Sequence, residues 1–228
     1  MQQKNKSVLF DLDGTLLHSG LTFHKIVNQL KEIEGEPLVD FEPVREFSSR
    51  GATLILQNCF PDRDQNNIDH LKSKFLDIYQ DVFTNDLVLY DGAKELIEFL
   101  ASKEISWGIV TNKPEQYTLP IIKKLGWDKM TNAVICPDSL KQAKPSPEGI
   151  YKALEILYGC PESSFYVGDH ERDIQTGINA GLKTIGCTYG YYEKPPEFWK
   201  ADFLVDKIDD IIEILLRKFL ILSSMLIP

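Results

Sequence analysis

The apolar positions along this chain fall into two rhythms. Short apolar runs at Val8-Leu9-Phe10, Ile105 to Val110, Ala133 to Cys136, Ser164 to Val167, Thr184 to Gly186 and Phe203 to Val205 have the length and character of strands. The first is unbroken, as a strand covered on both faces requires. The other rhythm is helical. Leu21, Phe23, Ile26, Val27, Leu30 and Ile33 form one stripe, closed by Gly35 and Pro37. Val44, Phe47, Leu54 and Leu56 form a second between Glu42 and Gln57, but Ser48-Ser49-Arg50-Gly51 interrupts it, which predicts two helices meeting at a bend or a loop facing something. Ile68, Leu71, Phe75, Ile78, Tyr79 and Val82 mark a third over Asn66 to Phe83.

After Asp91 helices and strands alternate. Helices are expected over Gly92 to Lys103, Glu115 to Leu125 with Gly126 as stop, Pro147 to near Gly159, Arg172 to Ala180 ending at Gly181, and from Ile208 onward. Alternation at this spacing predicts an α/β fold, a parallel sheet with helices on both faces. One strand, three helical stretches and then the repeating pattern point to a helical insertion in the first crossover. Residues 1–15 and 89–228 are expected to form the core, and residues 16–88 the insertion.

Composition narrows the function. With 228 residues, 43% hydrophobic and 26% charged, the chain has the make-up of a water-soluble globular protein of one or two domains. A net charge of -9 argues against a nucleic-acid partner. Cys59, Cys136, Cys160 and Cys187 form no C-x-x-C pair, and the polar start from Met1 to Lys6 has no secretory character, so a cytoplasmic location is expected. The end is apolar: Leu215, Leu216, Phe219, Leu220, Ile221 and Leu222, then Met225, Leu226 and Ile227. Arg217 and Lys218 interrupt it, so packing on the sheet or a dimer contact is expected rather than a membrane span, in a monomer or homodimer.

Candidate chemistry sits where the strands end, because parallel sheets bind ligands at their carboxyl ends. Asp11 and Asp13 follow the first strand two residues apart, which in extended chain turns both side chains to one side, and Gly14-Thr15 permits a sharp turn. Two adjacent carboxylates invite a hard divalent cation, although Asp and Gly also suit a plain strand-to-turn junction. Thr111-Asn112-Lys113 can hold phosphate oxygens or simply cap the helix after Pro114. Lys144, in Ala143-Lys144-Pro145 ahead of a helix, suits an anionic partner or lies solvated. Asp169 ends the Ser164 to Val167 strand and can complete an oxygen site. Asp173 can join it or cap the next helix, and His170 fits a carboxylate-paired surface imidazole better than a metal ligand.

Phe10-Asp11-Leu12-Asp13-Gly14-Thr15, Val110-Thr111-Asn112-Lys113, Ala143-Lys144-Pro145 and Val167-Gly168-Asp169 with Asp173 resemble, in order, the four motifs of haloacid dehalogenase-type phosphatases. Within that superfamily, Val44 to Ala52 and Tyr90-Asp91-Gly92 look most like phosphoglycolate phosphatase. The resemblance implies a Rossmann-like core with a helical cap inserted after the first strand, and hydrolysis of a small phosphorylated metabolite, 2-phosphoglycolate foremost. It implies Asp11 as nucleophile and Asp13 as general acid and base. Mg2+ would be bound by Asp11, the Asp13 carbonyl and Asp169, with Asp173 behind them. Thr111, the Asn112 backbone and Lys144 would hold phosphate. Arg50, in the Ser48-Ser49-Arg50-Gly51 break, either reads a substrate carboxylate, which suits a guanidinium, or lies exposed at a helix bend. His18 stands where the family often has Asp, and His170 where Ser, Thr or Asn is usual. A sugar-phosphate phosphatase or phosphomutase shares these motifs. A dehalogenase needs neither Asp13 nor magnesium, and a non-catalytic binding module would be expected to have lost an acid.

Overall fold

A computed structural model describes the backbone of residues 5–224 and side chains as far as Phe219. Six parallel strands form one sheet: β1 (Ser7–Phe10), β2 (Ser106–Val110), β3 (Val134–Ile135), β4 (Phe165–Gly168), β5 (Lys183–Cys187) and β6 (Phe203–Val205), in spatial order β3-β2-β1-β4-β5-β6. β1 is central, paired on both edges and wholly buried, which is why Val8-Leu9-Phe10 carries no polar residue. Its side chains alternate between layers. Leu9 packs in a cluster with Ile150, Ala153 and Leu154 of α7 (Glu148–Leu157) and with Ala180 of α8 (Glu171–Ala180). Val8 and Phe10 belong to the larger cluster on the other face, which takes in α5 (Ala93–Ser102) and α9 (Ile208–Ser224).

The five helices expected after Asp91, α6 (Glu115–Lys124) among them, follow the expected bounds within a residue or two. Leu215 of α9 is buried and the Phe219 ring meets Phe165 edge-on with centroids 5.5 Å apart, so the start of the apolar end packs on the sheet. The side chains of Leu220 to Leu222, and Met225 to Ile227 entirely, lie outside the described residues. Among the described residues no helix is long and apolar enough to cross a membrane.

Between β1 and α5 run α1 (Gly20–Glu34), α2 (Glu42–Phe47), α3 (Ala52–Cys59) and α4 (Gln65–Val82). The break in the second helical stripe is real: a 3-10 turn at Ser48–Arg50 leads to Gly51, whose φ of 83° few side chains tolerate. Ile33 is the exception to the first stripe, 57% exposed in the last turn of α1. The entry and exit of this helical insertion lie side by side. His18 N donates to Val88 O at 2.7 Å and Tyr90 N to Leu16 O at 3.0 Å, around an antiparallel bridge from Leu17 to Leu89.

Register brings the chemistry together. Phe10 pairs with Ile109 on one side and Val167 on the other, so Asp11, Thr111 and Asp169 emerge from adjacent strand tips. The Asp11 amide continues the ladder, donating to Val167 O at 2.9 Å.

Candidate active site

The two acids after β1 are held by different lysines. Asp11 Oδ1 lies 2.9 Å from Lys144 Nζ, and Asp13 Oδ2 lies 2.9 Å from Lys113 Nζ. The expectation that both side chains share a side holds for extended chain, but β1 ends at Phe10 and the backbone bends before Gly14 at φ 87°. Each lysine is buried. Burial opposes an ammonium, yet Asp11 and Asp173 outweigh it at Lys144, and Asp13 and Tyr79 outweigh it at Lys113, so both stay charged above the ordinary lysine range.

Asp169 is sealed at the tip of β4. Its Oδ1 accepts from Thr15 Oγ1 at 2.7 Å and its Oδ2 from Tyr191 N at 2.8 Å. A β-carbon on Gly14 or on Gly190 would overlap its carboxyl end, so both glycines are required by close approach. Asp173 plays two parts: Oδ1 accepts from Lys144 Nζ at 2.6 Å, and Oδ2 accepts from His170 N at 3.1 Å, closing the N-terminus of α8. The reading of Asp173 as a cap of the next helix is thus seen directly.

One carboxylate oxygen from each of Asp11, Asp169 and Asp173 falls within 4.8 Å of the others. The carboxylate of Asp13 is not among this group; it is tied to Lys113. Burial first, then Asp173 and Asp11, pushes the Asp169 carboxyl well above the carboxylate range. Burial also raises that of Asp173, against the pull of Lys144. Three crowded acids facing one ammonium are an oxygen-only donor set with charge to spare, which fits a hard divalent cation.

The strand tips open on a cavity of about 510 Å³ that the inserted helices help to line. Asp11, Asp13, Thr111, Asn112 and Lys113 come from the sheet side, and Phe23, Arg50, Lys72, Phe75 and Tyr79 from the insertion. Asn112 has a role that its backbone alone did not suggest. Its side-chain oxygen accepts from Lys144 N at 3.1 Å and so ties the β2 tip to the loop carrying Lys144. Arg50 reaches the cavity, but its Nη1 also pairs with Glu193 Oε1 at 2.9 Å, and Glu193 Oε2 lies 3.0 Å from His170 Nε2. His170 is thus carboxylate-paired, as expected.

Sequence reasoning missed Thr15, Tyr191 and Glu193 as parts of the site. Tyr191 is the most connected: besides its amide bond to Asp169, its carbonyl accepts from Ser49 Oγ at 3.0 Å and its hydroxyl accepts from Gly20 N at 2.8 Å. The same hydroxyl lies 2.7 Å from His18 Nδ1 and is hydrogen-bonded to Tyr90. His18 also stacks on Tyr90, and burial, then Arg45, lowers its pKa below the ordinary histidine value. No local signal in the loop after β5 marks Tyr191 or Glu193; Thr15 lay within a quoted motif.

A parallel α/β sheet carries two lysine-paired acids and, at its carboxyl edge, an oxygen-only cluster of acids that could hold a cation. The model of the haloacid dehalogenase-like hydrolase family matches residues 8–187, and the chain belongs to that family. It is 36% identical over 215 residues to an N-acetylmuramic acid 6-phosphate phosphatase of Pseudomonas aeruginosa, covering 93% of this chain and 95% of that one. It is 33% identical over 204 residues to a phosphoglycolate phosphatase of Xanthomonas campestris pv. campestris, covering 89% and 92%. The crystal structure of a predicted phosphoglycolate phosphatase from Haemophilus somnus superposes with a TM-score of 0.80 at 27% identity, over 94% of this chain and 99% of that one.

Proposed function

We propose that this chain is a Mg2+-dependent phosphatase that hydrolyses a small phosphate monoester through an aspartyl-phosphate on Asp11. The observation that carries the reading is the setting of Asp11 at the cavity floor: its carboxylate is 2.9 Å from the Lys144 ammonium and clustered with Asp169 and Asp173. Its nucleophilic oxygen attacks phosphorus, the ester oxygen leaves, and water then cleaves the acyl phosphate to restore the carboxylate. Asp13 gives its proton to the leaving alcohol and takes one from the attacking water; Lys113 and Tyr79 set its position. Lys144 balances charge around Asp11, and Thr111 with the Asn112 backbone holds the phosphoryl oxygens. Mg2+, held by Asp11, Asp169 and the Asp13 carbonyl, would supply charge neutralisation at the phosphoryl group.

The helices of residues 16–88 act as a cap over this floor, and Arg50 belongs to its specificity loop. The relatives named above act on 2-phosphoglycolate or on N-acetylmuramic acid 6-phosphate, and both esters carry a carboxylate. A cavity of about 510 Å³ has room for a sugar phosphate as well as for a two-carbon ester, which supports the second reading alongside the first. The test is phosphate release from purified protein with Mg2+ and with chelator, across 2-phosphoglycolate, sugar phosphates and nucleotides. Isomerised sugar phosphate with little free phosphate would mean a phosphomutase instead.

A further inference from the structure

The cations that line the cavity are not equivalent. Lys113 is committed to Asp13 and Tyr79. Arg50 is paired with Glu193. Arg172 donates from Nη2 to Ser49 O at 2.9 Å, and its charge acts on Asp173 and Lys144 at the floor. Lys72 lines the same cavity from α4 and makes no ion pair or hydrogen bond within the described residues. A half-buried lysine that lines a cavity and has no ion-pair partner among the described residues is a ready anion contact.

The placement of Lys72 sets a distance. Lys72, Phe75, Leu76 and Tyr79 form the cavity-facing stripe of α4, spaced as one helix face. Tyr79 is anchored at the floor, because its hydroxyl accepts from Lys113 Nζ at 2.7 Å and that ammonium holds Asp13. Lys72 stands seven residues earlier, about 10 Å along the helix at 1.5 Å per residue. Helical side chains lean toward the N-terminus, which carries its ammonium further from the floor. In 2-phosphoglycolate only an ester oxygen and a methylene separate phosphorus from the carboxyl carbon, so its carboxylate stays beside the phosphate. The cavity wall also includes Phe23, Phe75 and Tyr117, aromatic side chains of the kind that the C–H face of a sugar ring packs on.

We propose that Lys72 binds a carboxylate on the substrate, and that the substrate is therefore a phosphorylated sugar acid, whose carboxylate stands further from its phosphate than that of a two-carbon ester. This rests on the phosphatase reading of the floor. It assigns to α4 the second anchor of the substrate, with phosphate at Asp11 and Lys144, the ring on the aromatic wall and the carboxylate at Lys72.

A matched pair of esters tests it: N-acetylmuramic acid 6-phosphate and N-acetylglucosamine 6-phosphate differ by the lactyl group that bears the carboxylate. The unaltered protein with Mg2+ is expected to favour the carboxylated ester in kcat/KM by about tenfold to a hundredfold. Lys72→Met should erase that preference through KM with kcat little changed, and Lys72→Arg should keep most of it. Equal handling of the two esters by the unaltered protein, or an unchanged ratio in Lys72→Met, would overturn the proposal. Calorimetric binding of both esters to Asp11→Asn keeps the two readings apart. Lys72-dependent preference for the carboxylated ester, with no turnover of any ester by the unaltered protein, would sink the phosphatase reading and leave the recognition standing. Binding that ignores the carboxylate would sink the recognition alone.

Discussion

Lys113 Nζ lies 2.9 Å from Asp13 Oδ2 and 3.2 Å from Oδ1, so one buried ammonium clasps the second acid of the first motif with both oxygens in reach. The same nitrogen donates to the Tyr79 hydroxyl on α4. The contact therefore joins a strand-tip acid to the inserted helices as well as balancing its charge.

Removing that ammonium leaves Asp13 with an unmatched charge, only 16% exposed. Lys113→Met should destabilise the protein by about 3 kcal/mol, whereas Tyr79→Phe should cost about 1 kcal/mol. Urea unfolding of both variants checks this. An unchanged midpoint in Lys113→Met would show that the pair contributes nothing to folding.

Asp11→Asn removes the proposed nucleophile and also one charge from a crowded acid cluster. Phosphate release should fall by about three orders of magnitude or more while stability without metal stays level or rises. Normal turnover in this variant would refute the role given to Asp11.

Binding of Mg2+ should relieve the repulsion among Asp11, Asp169 and Asp173. At a hundredfold excess over its dissociation constant the ion should stabilise the protein by about 2.7 kcal/mol, read as a rise in Tm. Asp169→Asn should lose most of that rise. A protein whose Tm ignores Mg2+ would remove the metal from the account.

His18 offers a pH test away from the acids. Burial, then Arg45, lowers its pKa, so the folded state favours neutral imidazole, which sits 2.7 Å from the Tyr191 hydroxyl. A depressed histidine contributes no penalty above the unfolded value of about 6.5, and its contribution is lost as pH falls below that value toward the folded pKa. Stability should decline with acidification through this window, and His18→Phe, which can still stack on Tyr90, should show a shallower decline. Parallel Tm-against-pH curves for the two proteins would exclude His18 as the source.

Much of the architecture is legible in local pattern. Val8-Leu9-Phe10 reads as a strand buried on both faces because nothing polar interrupts it, and Ser48 to Gly51 reads as a bend because glycine follows a polar break in a helical stripe. Asp11, Thr111, Lys144 and Asp169, singled out because parallel sheets place ligands at strand ends and because the motifs resemble a known set, lie at the carboxyl edge of the sheet. Asp13 was singled out too, but its partner was not, since the extended-chain rule that turned it toward Asp11 stops applying where β1 stops. Arg50 lines the cavity, but its link to Glu193 lay beyond the reach of any spacing rule.

By itself the sequence determined the order of strands and helices, the helical insertion and the residue types at each strand end, because backbone hydrogen bonding and apolar burial act over a few neighbouring residues. The tertiary structure alone decided which charges meet. Thr15 and Asp169 are 154 positions apart and Lys113 and Asp13 are 100 apart, yet sheet register sets them at hydrogen-bond distance. Coulombic and hydrogen-bond partners depend on separation in space, and only the packed sheet with its inserted helices fixes that separation.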